Sequence, residues 1–114
     1  MKIDTRVEKE CLIIVPDGRM DAHNSPGIHV KLDRILNGAH EKIVILDLGR
    51  VEYLSSSGLH VLVSVARDLK KSNRDLRLCR LPEAVLRVLE LMEITGMFAI
   101  YDSEQDALDG KESG

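Results

Sequence analysis

Val51-Glu52-Tyr53-Leu54-Ser55-Ser56-Ser57-Gly58-Leu59-His60-Val61-Leu62 joins a strand to a strongly apolar helix, with three hydroxyls at the junction. The first N–H groups of a helix have no intrahelical partner and carry a partial positive charge. A serine placed there caps the helix, acts as a nucleophile, or carries a phosphate that the N–H groups tolerate. Downstream, Leu59, Leu62, Val63, Ala66 and Leu69 recur at helical spacing and form the expected inner stripe. Val61 and Val65 are apolar on its flank, so this helix is expected to be covered on more than one side. Upstream, Ile43-Val44-Ile45-Leu46-Asp47-Leu48 is the clearest strand in the chain.

The same reading extends to both ends. Ile3 to Val7 alternates and suits an edge strand, and Cys11 to Val15 reads as a buried strand that Pro16-Asp17-Gly18 bends or ends. Asn24 or Ser25 is the expected cap of a helix whose apolar face is Ile28, Leu32, Ile35, Leu36 and Ala39, with Pro26 in its first turn. Ser72-Asn73 ends the serine helix, and Leu76 to Cys79 follows as a strand. Pro82 opens a third helix, with Gly96 as its expected left-handed cap. Phe98 to Tyr101 is a last strand, and Ser103 caps a short final helix. Alternating strands and helices predict an α/β fold. The expected sheet has four or five strands, mostly parallel with an antiparallel first strand, and four helices. One domain over residues 1–109 is expected, with residues 110–114 as a disordered tail.

Composition removes several functions. Hydrophobic residues are 44% of 114 and aromatics only 3%, so the core is aliphatic and no stacking platform for single strands exists. The net charge of −3, with scattered Lys and Arg, leaves no nucleic-acid footprint. No apolar run is long enough to span a bilayer and no secretory leader is visible, so a cytoplasmic protein with no membrane partner is expected. Cys11 and Cys79 sit in apolar runs and are expected as buried free thiols.

Motifs for chemistry are also missing. Ser56 lacks the leading glycine of Gly-x-Ser-x-Gly, and neither phosphate-loop glycine pattern occurs. His23, His29, His40 and His60 have no metal-ligand spacing with each other or with the cysteines. The expectation is therefore no enzyme, no cofactor and no metal. His60 reads as a surface residue one turn into the serine helix.

Four motifs, in order and at matching spacing, resemble the STAS domain family, and within it the single-domain bacterial anti-sigma-factor antagonists. They are Gly18-Arg19-Met20-Asp21, the strand Ile43 to Leu48, Tyr53-Leu54-Ser55-Ser56-Ser57-Gly58-Leu59, and Ile94-Thr95-Gly96-Met97-Phe98. The resemblance covers about Ile3 to Leu108. It implies that Ser56 is phosphorylated by a partner that is both anti-sigma factor and serine kinase of the GHKL ATPase type. It implies a PP2C-type serine phosphatase that reverses this, and binding to the kinase only when Ser56 is unmodified. The family usually has Asp where this chain has Ser55, which caps but brings no charge. The implied partner surface is Asp21, His23, Asn24, Ser55, Ser56, Ser57, Gly58, Leu59 and His60, with Gly58 keeping the backbone open toward the partner. The alternative is an unphosphorylated STAS module that binds a protein or ligand with an output other than a sigma factor.

Overall fold

Leu12 to Ile14 and Val44 to Leu46 are buried and lie side by side in parallel register. Successive side chains of a strand point to opposite faces, so both faces of this sheet must be covered. The computed structural model, which describes residues 1–111, shows how. In chain order the elements are β1 (Lys2–Glu8), β2 (Cys11–Met20), α1 (Ser25–Asn37), β3 (Ile43–Asp47), β4 (Val51–Leu54), α2 (Ser56–Lys71), β5 (Asp75–Cys79), α3 (Glu83–Leu91), β6 (Ala99–Tyr101) and α4 (Glu104–Asp109). The strands lie in the order β1-β2-β3-β5-β6, with β1 antiparallel to β2 and the other pairs parallel.

One face carries the larger core. Ile28, Leu32 and Leu36 of α1, Leu59, Leu62 and Leu69 of α2, and Val85 and Leu89 of α3 pack there against Leu12, Ile14, Val44, Leu46 and Leu78. On the other face Ala107 of α4 closes a smaller cluster of Cys11, Ile13, Val15, Ile45, Cys79 and Tyr101. Val61 and Val65 are as buried as Leu59 and Leu62, while Val63 and Ala66 are only half-buried. The inner stripe of α2 is therefore rotated toward α1 from its expected position. Leu62 is 1% exposed. Leu62→Ala is expected to cost about 2–5 kcal/mol, read from urea unfolding; a loss below about 0.5 kcal/mol would contradict this packing.

The sheet has six strands rather than four or five. The addition is Val51–Leu54, which pairs in parallel with Gly18–Met20. Strand β2 runs through Pro16-Asp17-Gly18 instead of ending there. Its first part pairs β3, and its last part leaves β3 and takes β4 as neighbour. The register shifts between Gly18 and Arg19, where Gly18 has φ +122°, a conformation open to glycine and strained for other residues.

Helix ends also differ from expectation. Gly96 lies in a short 3-10 turn, Thr95–Met97, and is not the cap of α3. Glu93, with φ 57°, takes that place; its N–H bonds to Glu90 C=O and the Ile94 N–H to Leu89 C=O, a Schellman pair. Asn73, with φ 58°, closes α2 the same way. Ser103 Oγ accepts the Asp106 N–H at 3.0 Å, as expected of a cap. Gly110 and Lys111 complete the C-terminal turn of α4 through Ala107 and Asp106 carbonyls. Residues 112–114 of the expected tail lie outside the described residues.

Cys11 and Cys79 are free and buried. They align with Ile43 and Asp47 of the strand between them, four residues apart, or about 13 Å along the sheet. Burial pushes the Cys79 thiol up to about 12.

Asp47, the one buried carboxylate among the described residues, ends β3. Its oxygens accept the Gly49 N–H at 2.9 Å and an Arg80 N–H at 3.2 Å. Glu104 of α4 adjoins it and is bonded by Arg6 of β1. The Glu104 carboxyl is held above its ordinary value, chiefly by its hydrogen bond to Asp47 and also by desolvation; Arg6 opposes this. A raised carboxyl keeps its proton in the folded chain after the unfolded chain has lost it. The stability from that proton is present below the unfolded value of about 4.5 and is lost as pH rises through the folded value. Glu104→Gln keeps a donor that does not titrate. Its stability relative to the parent is expected to improve as pH rises from about 4 to about 7. Parallel pH profiles of the two proteins would remove Glu104 from this role.

Candidate functional site

Because β2 and β4 pair with Met20 opposite Leu54, the next residues, Asp21 and Ser55, emerge side by side. Each opens a helix. The Ser55 N–H bonds to Met20 C=O at 2.8 Å and ties the two openings together.

At the α2 opening, Ser55 is the cap. Its Oγ accepts the Gly58 N–H at 3.1 Å, and its C=O accepts the Leu59 N–H at 2.9 Å. The N–H groups of Ser56 and Ser57, in the first turn of α2, have no intrahelical acceptor. Ser56 is the first residue of the helix and is exposed; its hydroxyl has no hydrogen-bond partner among the described residues. Ser57 is half-buried in a groove against α1. Among the described residues, no Asp, Glu or His side chain is hydrogen-bonded to Ser56.

At the α1 opening Asn24 holds the cap position, as expected, but its side chain bonds no N–H of the helix; the side-chain capping is done one turn earlier, by Asp21. Asp21 Oδ1 accepts the His23 and Asn24 N–H groups at 3.0 and 2.9 Å, and Asn24 Oδ1 accepts the Asp21 N–H at 2.9 Å. This reciprocal box starts the helical turn early, with the Ser25 N–H on Asp21 C=O at 3.0 Å. Asn24 Nδ2 also donates to Arg19 C=O at 2.7 Å. The side chains of Asp21 and Asn24 are thus engaged in the turn, while His23 is exposed.

Gly58 and Leu59 correct the expected surface. Both are buried. A Cβ on Gly58 would lie 2.8 Å from Met20 Cβ, 2.9 Å from Leu54 Cδ1 and 2.9 Å from Met20 C=O. The glycine lets α2 close onto the β2–β4 pair; it does not open the backbone to a partner. Of the expected surface, His23, Ser56 and His60 are outward, and Asp21, Asn24, Ser55 and Ser57 are half-buried.

The structure adds residues beyond the expected partner surface. A groove of about 320 Å³ between the two helix openings is lined by Ala22 of the turn before α1 and Ser25, Pro26 and His29 of α1, together with Ser57, His60 and Val61 of α2. Their spacing of three to four residues on α1 is the signal that was present: small and polar positions flanking the apolar face. Arg19 stacks on the Tyr53 ring at 4.5 Å, and both are exposed beside the openings. They are partners across β2 and β4, a pairing invisible until β4 was known.

The family model of the STAS domain matches residues 2–107. The chain belongs to the STAS domain family. It is 39% identical over 67 residues to a candidate anti-sigma factor antagonist of Bordetella bronchiseptica, BtrV; the match spans 59% of this chain and 58% of that protein. It is 23% identical over 108 residues to the anti-sigma F factor antagonist of Paenibacillus polymyxa, covering 95% of this STAS protein and 92% of the relative. The Bacillus protein SpoIIAA has the same fold. Its unphosphorylated structure aligns with a TM-score of 0.77 at 19% identity over 96% of this chain and 95% of that one. The phosphorylated structure gives 0.70 at 18% identity over 96% and 98%. Among the described residues, no helix is long and apolar enough to cross a membrane.

Proposed function

We propose that this STAS protein is a partner-switching regulator gated by phosphate on Ser56. Unmodified, it binds an anti-sigma factor that is also a serine kinase of the GHKL ATPase type. Phosphorylation ends that complex, and a PP2C-type phosphatase restores it. The chain itself is a binding module of the cytoplasm, not an enzyme.

The observation that carries the reading is the division of labour at the junction. Ser55 caps α2, Ser57 turns into the groove, and Ser56 alone presents a free hydroxyl at a helix start. A phosphate there meets the N–H groups of Ser56 and Ser57 and the positive end of α2. The start of α1 lies beside it. The names of the relatives support the anti-sigma output, and SpoIIAA, known in both forms, supports a phosphate switch on this fold.

The test is intact mass and phosphopeptide mapping of the protein from its native cells. A single phosphate on Ser56 is expected. Phosphate confined to Ser55 or Ser57 would overturn the site, and none under any growth condition would favour a constitutive binding module.

A further inference from the structure

We propose that His29, Asp33 and Asp68 form a site for a divalent transition-metal ion on the seam between α1 and α2. His29 and Asp33 are one turn apart on α1, with Nε2 and Oδ1 separated by 3.8 Å. Asp68 comes from α2, and one ligand atom from each residue lies within 4.8 Å of the others. This proposal revises the expectation of no metal. The spacing test considered only histidines and cysteines, whereas the third donor here arrives through packing of two helices.

Three donors bound to one ion at about 2.1 Å are about 3–3.5 Å apart. Small rotations of side chains that are half-buried or exposed reach that geometry.

The surrounding charge favours a cation. Asp33 and Asp68 face each other across the seam. The Asp68 carboxylate has no ion-pair or hydrogen-bond partner among the described residues, and that of Asp33 has only the long contact to His29. Lys71 and Arg74 line the same depression as Asp33 and Asp68. Arg74 is turned away, with Nε and one Nη each donating at 2.9 Å to the carbonyls of Glu41 and Leu36. Lys71 forms no ion pair with either carboxylate among the described residues. Two carboxylates with no direct Lys or Arg partner among the described residues repel each other, and a cation placed between them relieves this.

The donor set selects the ion. One imidazole with two carboxylates suits zinc, nickel or copper, whereas magnesium and calcium take oxygen ligands. Three protein donors leave the remaining positions to water. His29 also lines the groove beside Ser57 and His60, so a bound ion would hold that side chain still at the edge of the serine junction.

Calorimetric titration of metal-free protein with zinc chloride tests the site, with thermal midpoints measured in parallel. The expected result is one saturable zinc ion per chain and a raised midpoint. His29→Ala and Asp68→Asn should each weaken binding by about tenfold or more. Asp68 is exposed, so its variant should keep the parent fold by circular dichroism. His23→Ala and His40→Ala should leave zinc binding unchanged, and magnesium should not compete. Absence of saturable binding in the micromolar range would overturn the proposal. So would binding that survives both His29→Ala and Asp68→Asn, which would mark chance capture by surface histidines.

Discussion

Phosphate on Ser56 is expected to lower affinity for the cognate kinase about a hundredfold or more while leaving the domain folded. The modification adds about −1.5 to −2 charges to a surface that the partner must desolvate. A buried charge without a partner costs several kcal/mol, and each 1.4 kcal/mol is about tenfold in affinity. Local compensation is smaller: a helix start stabilises an anion by about 0.3–1 kcal/mol at an exposed position. That is enough to spare the fold and too little to spare the complex. Ser56→Ala should bind as the unmodified protein does. Ser56→Asp should be weakened less than the phosphoprotein, because one carboxylate carries half the charge and fewer acceptors. Equal affinity of the phosphorylated and unphosphorylated chains, measured with the purified kinase, would sink the switch.

Substitution of Gly58 is expected to act on folding first. Gly58→Ala gains about 1 kcal/mol of helix propensity. It also places a methyl 2.8–2.9 Å from two side-chain carbons and from the Met20 carbonyl oxygen. That oxygen already accepts the Ser55 N–H, so it cannot move aside without loosening the junction. Three contacts this close put the cost at the upper end of the about 1–3 kcal/mol that overpacking takes, so a net loss of about 2 kcal/mol is expected. Gly58→Arg adds a buried guanidinium and should remove most of a stability of about 5–15 kcal/mol. Urea unfolding of both variants gives the answer. Gly58→Ala within about 0.5 kcal/mol of the parent would show that α2 does not sit as closely on β2 and β4 as described.

Much of the architecture was legible because its signals are local. Continuous β-branched runs marked β2 and β3, and Ser55, Pro82 and Ser103 marked helix starts. What escaped was decided at a distance. β4 has only four residues, and its buried ends Val51 and Leu54 flank exposed Glu52 and Tyr53. That pattern carries no clean alternation; a partner, the late part of β2, makes it a strand. Glu93 closes α3 in a left-handed conformation that propensity assigns to a glycine, and Gly96 stood three residues away. Gly58 was the sharpest case. Sequence showed that a side chain was unwelcome there, but not whether the pressure came from a partner outside or from Met20 within.

The three consecutive serines also bear on how such a regulator changes over time. Capping rests on Ser55 and helix–sheet contact on Gly58, so position 56 is free of folding duties. A lineage can gain, lose or retune a hydroxyl at that one place without first acquiring a compensating change elsewhere. Drift at its neighbours is restrained by the fold, whereas drift at Ser56 is restrained only by what the cell does with it.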